Sequence, residues 1–142
     1  MAEQITGQMS PDEFRQWAKT TSEADIKNQV RTGGVDLVLD GLFQAMQDGF
    51  LPDKAKGVDT VIQYIVTDDG KEYTYTLSIK DSACTLKKEK AAAKVTLSID
   101  LVSFLKLMGG VADGTQLYVA GKLKIGGDMM FAQRLASLFK SA

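Results

Sequence analysis

Four stretches of the chain alternate apolar and polar residues at every second position, and this habit restricts the fold more than any other feature. In "KEYTYTLSIK", Tyr73, Tyr75, Leu77 and Ile79 fall on one side and Thr74, Thr76 and Ser78 on the other. A shorter stretch passes through Cys84 and Leu86 after Asp81-Ser82. Val95, Leu97 and Ile99 alternate with Lys94, Thr96 and Ser98. Leu117, Val119, Gly121, Leu123 and Ile125 alternate with Tyr118, Lys122 and Lys124, which predicts a last strand over 117–125. Period two places each set on one face of a pleated sheet. The segment Val61 to Val66 differs, because it is apolar on both sides and so belongs at the sheet's centre. Asp69-Gly70, between two such runs, is a two-residue hairpin signal. Strands with one oily and one wet face imply an α/β (α+β) fold: a five-stranded, mostly antiparallel sheet with helices packed on one face.

The helices are equally legible. Ser10, Pro11 and Glu13 supply an N-cap, a first-position proline and a capping-box glutamate, and Phe14, Trp17 and Ala18 then share a face. Ser22 with Asp25 opens a second helix through Ile26 and Val30, ended by Gly33-Gly34. The stripes of these two helices are too narrow to stand alone, so residues 1–33 read as a helical extension packed on a body of residues 34–142. Val35, Val38, Leu39, Leu42, Phe43 and Met46 form a wide stripe stopped by Gly49 and Pro52. Asp100 caps a helix through Leu101, Val102, Phe104, Leu105, Leu107 and Met108, and Asp128 caps a last one containing Met129, Met130, Phe131, Leu135, Leu138 and Phe139. Both are apolar around most of their circumference, whereas a helix that covers a sheet needs one oily stripe. This surplus either fills the core or lines a space for an apolar guest.

Several chemistries are excluded by composition. The chain of 142 residues fits one domain. It has no histidine, hence no serine–histidine or cysteine–histidine nucleophile and no common zinc set. A net charge of −1 argues against nucleic acid as a partner. The single Cys84 cannot form an internal disulfide and reads as a packed apolar residue. No secretory signal or stretch of ~18 apolar residues is present, which points to the cytoplasm. Gly126-Gly127 is not a P-loop, since Asp128 and Met129 follow it, and the aspartate would repel a phosphate; it reads as a strand-to-helix joint. Asp68 and Asp69 read as hairpin residues, and Asp36 and Asp40 as a solvated helix face. Lys87, Lys88, Lys90 and Lys94 read as a solvated sheet edge, with transient contact to an anionic membrane surface as the alternative. No catalytic group, metal or cofactor is called for.

Three segments in order, "LVLDGLFQAM", "FLPDKAKGVDTVIQYIVTDDGKEYTYTLSIKDSACTL" and "VTLSIDLVSFLKLMGGVADGTQLYVAGKLKIGGDMMFAQRLASLF", resemble the sterol carrier protein type two family, the non-specific lipid-transfer proteins. The most distinctive part is "LYVAGKLKIGGDMMFAQRL", and the resemblance runs from about Val35 to Phe139. It implies a hydrophobic tunnel between sheet and helices for a fatty acyl chain, acyl-CoA, phospholipid or sterol. The matching positions for its lining are Leu101, Phe104, Leu105, Met108, Leu117, Val119, Met129, Phe131, Leu135 and Phe139, with Gly121 leaving room where a side chain would intrude. The helices through Trp17 and Val30 are similar to those of bacterial stand-alone members. Many eukaryotic members end in a peroxisomal tripeptide; this chain ends Lys140-Ser141-Ala142, so peroxisomal import is not expected. The resemblance implies non-enzymatic lipid binding or transfer. The alternative is an interaction module that docks an apolar helix face on a lipid-metabolism enzyme or, as a homodimer, on a second copy.

Overall fold

In the computed structural model, residues 10–138 are described, apart from the side chains of residues 11, 133, 135 and 136. Three helices come first: α1 (Pro11–Thr20), α2 (Glu23–Gly33) and α3 (Val35–Asp48). The Ser10 hydroxyl accepts from the Glu13 N–H while the Glu13 carboxylate accepts from the Ser10 N–H, closing the capping box. Ser22 caps α2 through the Asp25 N–H. Gly34, at φ 94°, lets α3 begin one residue after α2 ends. A 3₁₀ turn (Pro52–Ala55) leads to the sheet.

The strands β1 (Thr60–Asp68), β2 (Lys71–Lys80), β3 (Ala83–Lys87), β4 (Val95–Asp100) and β5 (Leu123–Gly127) stand in the order β3-β2-β1-β4-β5. The β1–β4 pairing is parallel and the other three pairings are antiparallel. β1 is central, as its double-sided apolarity requires, and Ile62, Tyr64 and Val66 are buried along it. Asp69 (φ 50°) and Gly70 (φ 82°) form the two-residue hairpin loop. The β3–β4 link crosses the wet face. There Thr76 Oγ1 donates to the Glu89 carbonyl and the Ala91 N–H donates to Gln63 Oε1.

On the oily face, α3 packs over β2 and β3, and α4 (Leu101–Met108) over β1 and β4. Between them Phe43 stacks on Tyr75 (centroids 4.2 Å apart) and on Phe104 (5.0 Å), with Tyr64 edge-on to Phe43 at 5.3 Å. Phe14, Trp17, Ile26 and Val30 from α1 and α2 join the same core.

One expected element is different. Residues 114–119 are helical, forming α5 (Gly114–Val119), so the strand predicted over 117–125 is reduced to β5. The Asp113 side chain accepts from the Gln116 N–H at the start of α5. At its end the Lys122 N–H donates to the Leu117 carbonyl and the Gly121 N–H to the Tyr118 carbonyl, with Gly121 left-handed at φ 77°. That pair of bonds is a Schellman closure, and it outweighs the alternation. The chain then enters α6 (Met129–Arg134), capped by Asp128 through the Phe131 N–H, and a 3₁₀ turn (Leu135–Leu138).

Candidate functional site: an apolar wall over β4 and β5

Two halves of the oily face are covered by different elements. The half over β1 and β2 is closed by the aromatic stack. The half over β4 and β5 is walled by three short pieces: α4, α5 against β5, and α6 against β4 and β5. Here Leu97, Leu101, Leu105, Leu117, Leu123 and Phe131 are buried, while Leu107, Met108, Val111, Ala112, Ile125 and Ala132 are half-buried against them. This border is made almost wholly of carbon, and its side chains offer shape and little polar recognition.

The expected lining residues divide accordingly. Leu101, Phe104, Leu105, Leu117 and Phe131 are buried, and Met108 is half-buried. Met129 is exposed at the start of α6, and Val119 is 80% exposed, so α5 does not bring Val119 to the wall. Gly121 sits in the left-handed turn that ends α5, and a Cβ there would meet no atom within 4 Å. The Leu135 side chain and Phe139 lie outside the described residues. Phe43, Tyr64 and Tyr75 were not foreseen beside Phe104. Alternation places Tyr75 on the oily face, but it gives a face and not a neighbour. Val111 and Ala112 follow Gly109-Gly110 in a loop with no periodicity to betray them.

Several charged groups are paired. Arg31 donates Nε to Asp68 Oδ2 (3.1 Å), and its Nη2 reaches Asp68 Oδ1 (2.7 Å) and Asp69 Oδ2 (2.6 Å), bolting α2 to the β1–β2 hairpin. Both aspartates reach one guanidinium because left-handed Asp69 breaks the strand's alternation. This clamp borders a groove of about 500 Å³ that also includes Val35, Leu37, Lys71 and Tyr73. The hydrogen bonds from Arg31 hold the Asp68 carboxyl below the usual carboxylate range. Asp36 and Asp40 are less free than a solvated face suggests. Tyr75 donates its hydroxyl to Asp40 (2.5 Å), and Lys88 Nζ lies 3.1 Å from Asp36 and 3.2 Å from Asp40. Cys84 is half-buried, and burial pushes its thiol up to about 11, which leaves it unreactive. Among the described residues there is no cluster of metal-ligating side chains and no helix long and apolar enough to cross a membrane.

Residues 39–140 match the SCP-2 sterol transfer family. The chain belongs to that family. It is 33% identical over 108 residues to the oleate-induced peroxisomal protein of Candida maltosa, covering 70% of this chain and 84% of that one. It is 27% identical over 111 residues to a fatty acid-binding protein of Yarrowia lipolytica, covering 75% and 86%. Among solved structures, sterol carrier protein 2 of Yarrowia lipolytica in its apo form has the same fold, with TM-score 0.59, 21% identity and coverage of 68% and 85%. The stereoselective inverting sec-alkylsulfatase of Pseudomonas sp. contains it too, with TM-score 0.62 and 18% identity over 80% of this chain; the match spans 17% of that enzyme. The SCP-2 fold thus occurs both as most of a small protein and as a small part of a large one.

Proposed function

We propose that this chain holds the acyl part of a lipid between α4–α6 and strands β4–β5, and carries it without transforming it. Leu101, Leu105 and Met108 line one side, Leu117 and Phe131 the other, with Phe104 and the aromatic stack as the inner end. Family membership supports this, as does the naming of two relatives for oleate induction and fatty acid binding. The observation that carries it is the wall over β4 and β5, where short helical pieces present apolar side chains and few polar ones. Short pieces joined by glycine turns can move apart to admit a chain at lower cost than one long helix.

The energetics suit a loosely selective carrier. Burying a chain of about 16 carbons at about 0.8 kcal/mol per methylene yields roughly 12 kcal/mol gross. Ordering and association losses reduce this to micromolar or nanomolar binding. Native mass spectrometry of delipidated protein with palmitate tests the proposal: one adduct per chain is expected, and Met108→Glu should reduce it at least ten-fold. A wild-type spectrum without adduct refutes the carrier reading. The cytoplasmic location expected from the sequence belongs to this proposal as well. Since one relative is named peroxisomal, cell fractionation is its test.

A further inference from the structure

At the corner where α5 gives way to β5, apolar and cationic side chains stand out together. Tyr118 is 46% and Val119 80% exposed in the last turn of α5, and Lys122 and Lys124 follow, both exposed. The Schellman closure on Leu117 and Tyr118 fixes the corner in place. Among the described residues neither lysine has an ion-pair partner within reach, whereas the neighbouring acids are engaged. Asp113 caps α5, Asp100 caps α4 through the Ser103 N–H, and Asp128 pairs with Lys94 at 3.7 Å. A groove of about 310 Å³ runs beside the lysines, lined by Thr67, Ser98, Ile99, Asp100, Gly121, Lys122 and Lys124. The charged lining of this groove is two lysines against one aspartate, Asp100.

An apolar tip flanked by unpaired ammonium groups complements an anionic bilayer. The Tyr118 ring and Val119 suit the headgroup–acyl boundary, and the lysines suit lipid phosphates. Two apolar side chains fall far short of the ~1,200 Å² that a specific protein interface buries, which disfavours a second copy or a protein partner. Of the lysines singled out in the sequence, three are paired: Lys88 lies between Asp36 and Asp40, Lys94 pairs with Asp128, and Lys90 is 4.0 Å from Glu72.

We propose that the α5–β5 corner docks the chain on anionic lipid bilayers, with Tyr118 and Val119 among the headgroups and Lys122 and Lys124 against their phosphates. The inference rests on the carrier reading and deepens it, since buried Leu117 of the apolar wall lies in the same helix. The test is co-sedimentation of the full chain with vesicles of phosphatidylcholine alone or with phosphatidylserine added. Binding is expected to the anionic vesicles and to fall with salt. At about five-fold per lysine, the double variant Lys122→Ala/Lys124→Ala should bind roughly thirty-fold more weakly. Val119→Asp should also weaken binding, while Lys87→Ala/Lys90→Ala should leave it unchanged. Equal binding to both vesicle types, or wild-type binding by the double variant, overturns the proposal. So does a Val119→Asp chain that loses a dimer in sedimentation velocity but keeps its vesicle binding. Palmitate uptake measured without vesicles separates the two readings: uptake without vesicle binding removes the docking corner alone, and failure of wild-type uptake removes the carrier.

Discussion

A Cβ on Gly127 would overlap the carbonyl oxygen of Lys94, at a φ of 93° that L-residues rarely adopt. The same carbonyl accepts the Asp128 N–H at 3.0 Å, so it cannot retreat without losing the bond that starts α6. Gly127→Ala should therefore destabilise the fold by about 2–4 kcal/mol, whereas Gly126→Ala, whose Cβ would lie 3.9 Å from the nearest atom, should cost under about 1 kcal/mol. Urea denaturation of the two variants decides it, and equal midpoints would show that the joint relaxes. The sequence identified this pair as a joint; which glycine is obligatory depends on a carbonyl 33 positions earlier. Asp68 makes a second residue-scale prediction. Its hydrogen bonds from Arg31 lower its folded-state pKa, so its stabilisation is present above the unfolded value of ~3.9 and is lost as pH falls through the lower folded value. Between pH ~5 and ~2 the wild-type Tm should fall more steeply than that of Asp68→Asn, and parallel curves would mean that the clamp is not linked to folding. The pairing of Arg31 with Asp68 was illegible in the sequence because 37 positions separate them and surface arginines and aspartates are common.

Among the elements, caps decided more than periodicity. The boundaries of α1 and α2 follow from Ser10, Glu13, Ser22 and Asp25, and the sheet face follows from alternation in β2 and β4. α5 was hidden because six residues span fewer than two helical turns, so Leu117, Tyr118 and Val119 can mimic strand alternation by chance. Its real signals, Asp113 before it and Gly121 after it, are short-range hydrogen-bonding residues that compete with a hydrophobic pattern. The N-terminal helices raise a different question, since residues 1–33 read as an added piece. Trp17 donates its indole N–H to Gln29 (2.8 Å) and stacks on Phe14 (5.9 Å), while Ile26 and Val30 are fully buried in the common core. We expect α1 and α2 to unfold together with the sheet. The chain's one tryptophan makes this measurable: fluorescence and far-UV circular dichroism should give coincident urea transitions. An earlier fluorescence transition would show that the extension opens by itself.

For the whole molecule, the proposed carrier role becomes a statement about where stability resides. The aromatic centre of Phe43, Tyr64, Tyr75 and Phe104 is joined to long strands, while α5 and α6 are six-residue helices on an edge strand. Local opening should thus begin at the α5–β5–α6 side, and a ligand bound there should suppress it. Because a ligand that binds the folded state adds RT ln(1 + [L]/Kd), palmitate at a hundred times its Kd should stabilise the chain by about 2.7 kcal/mol. For a domain of this size that is a rise in Tm of roughly 6–11 °C. Hydrogen exchange locates the effect: amides of residues 105–134 should slow on addition of palmitate, while those of β1 and β2, already limited by global unfolding, should slow by no more than the global gain. Acetate, with the same carboxylate and no chain, should do neither. Equal protection by acetate would move the binding energy from the carbon wall to the carboxylate, and a gain confined to the α2–hairpin groove around Arg31 would place the ligand away from β4 and β5.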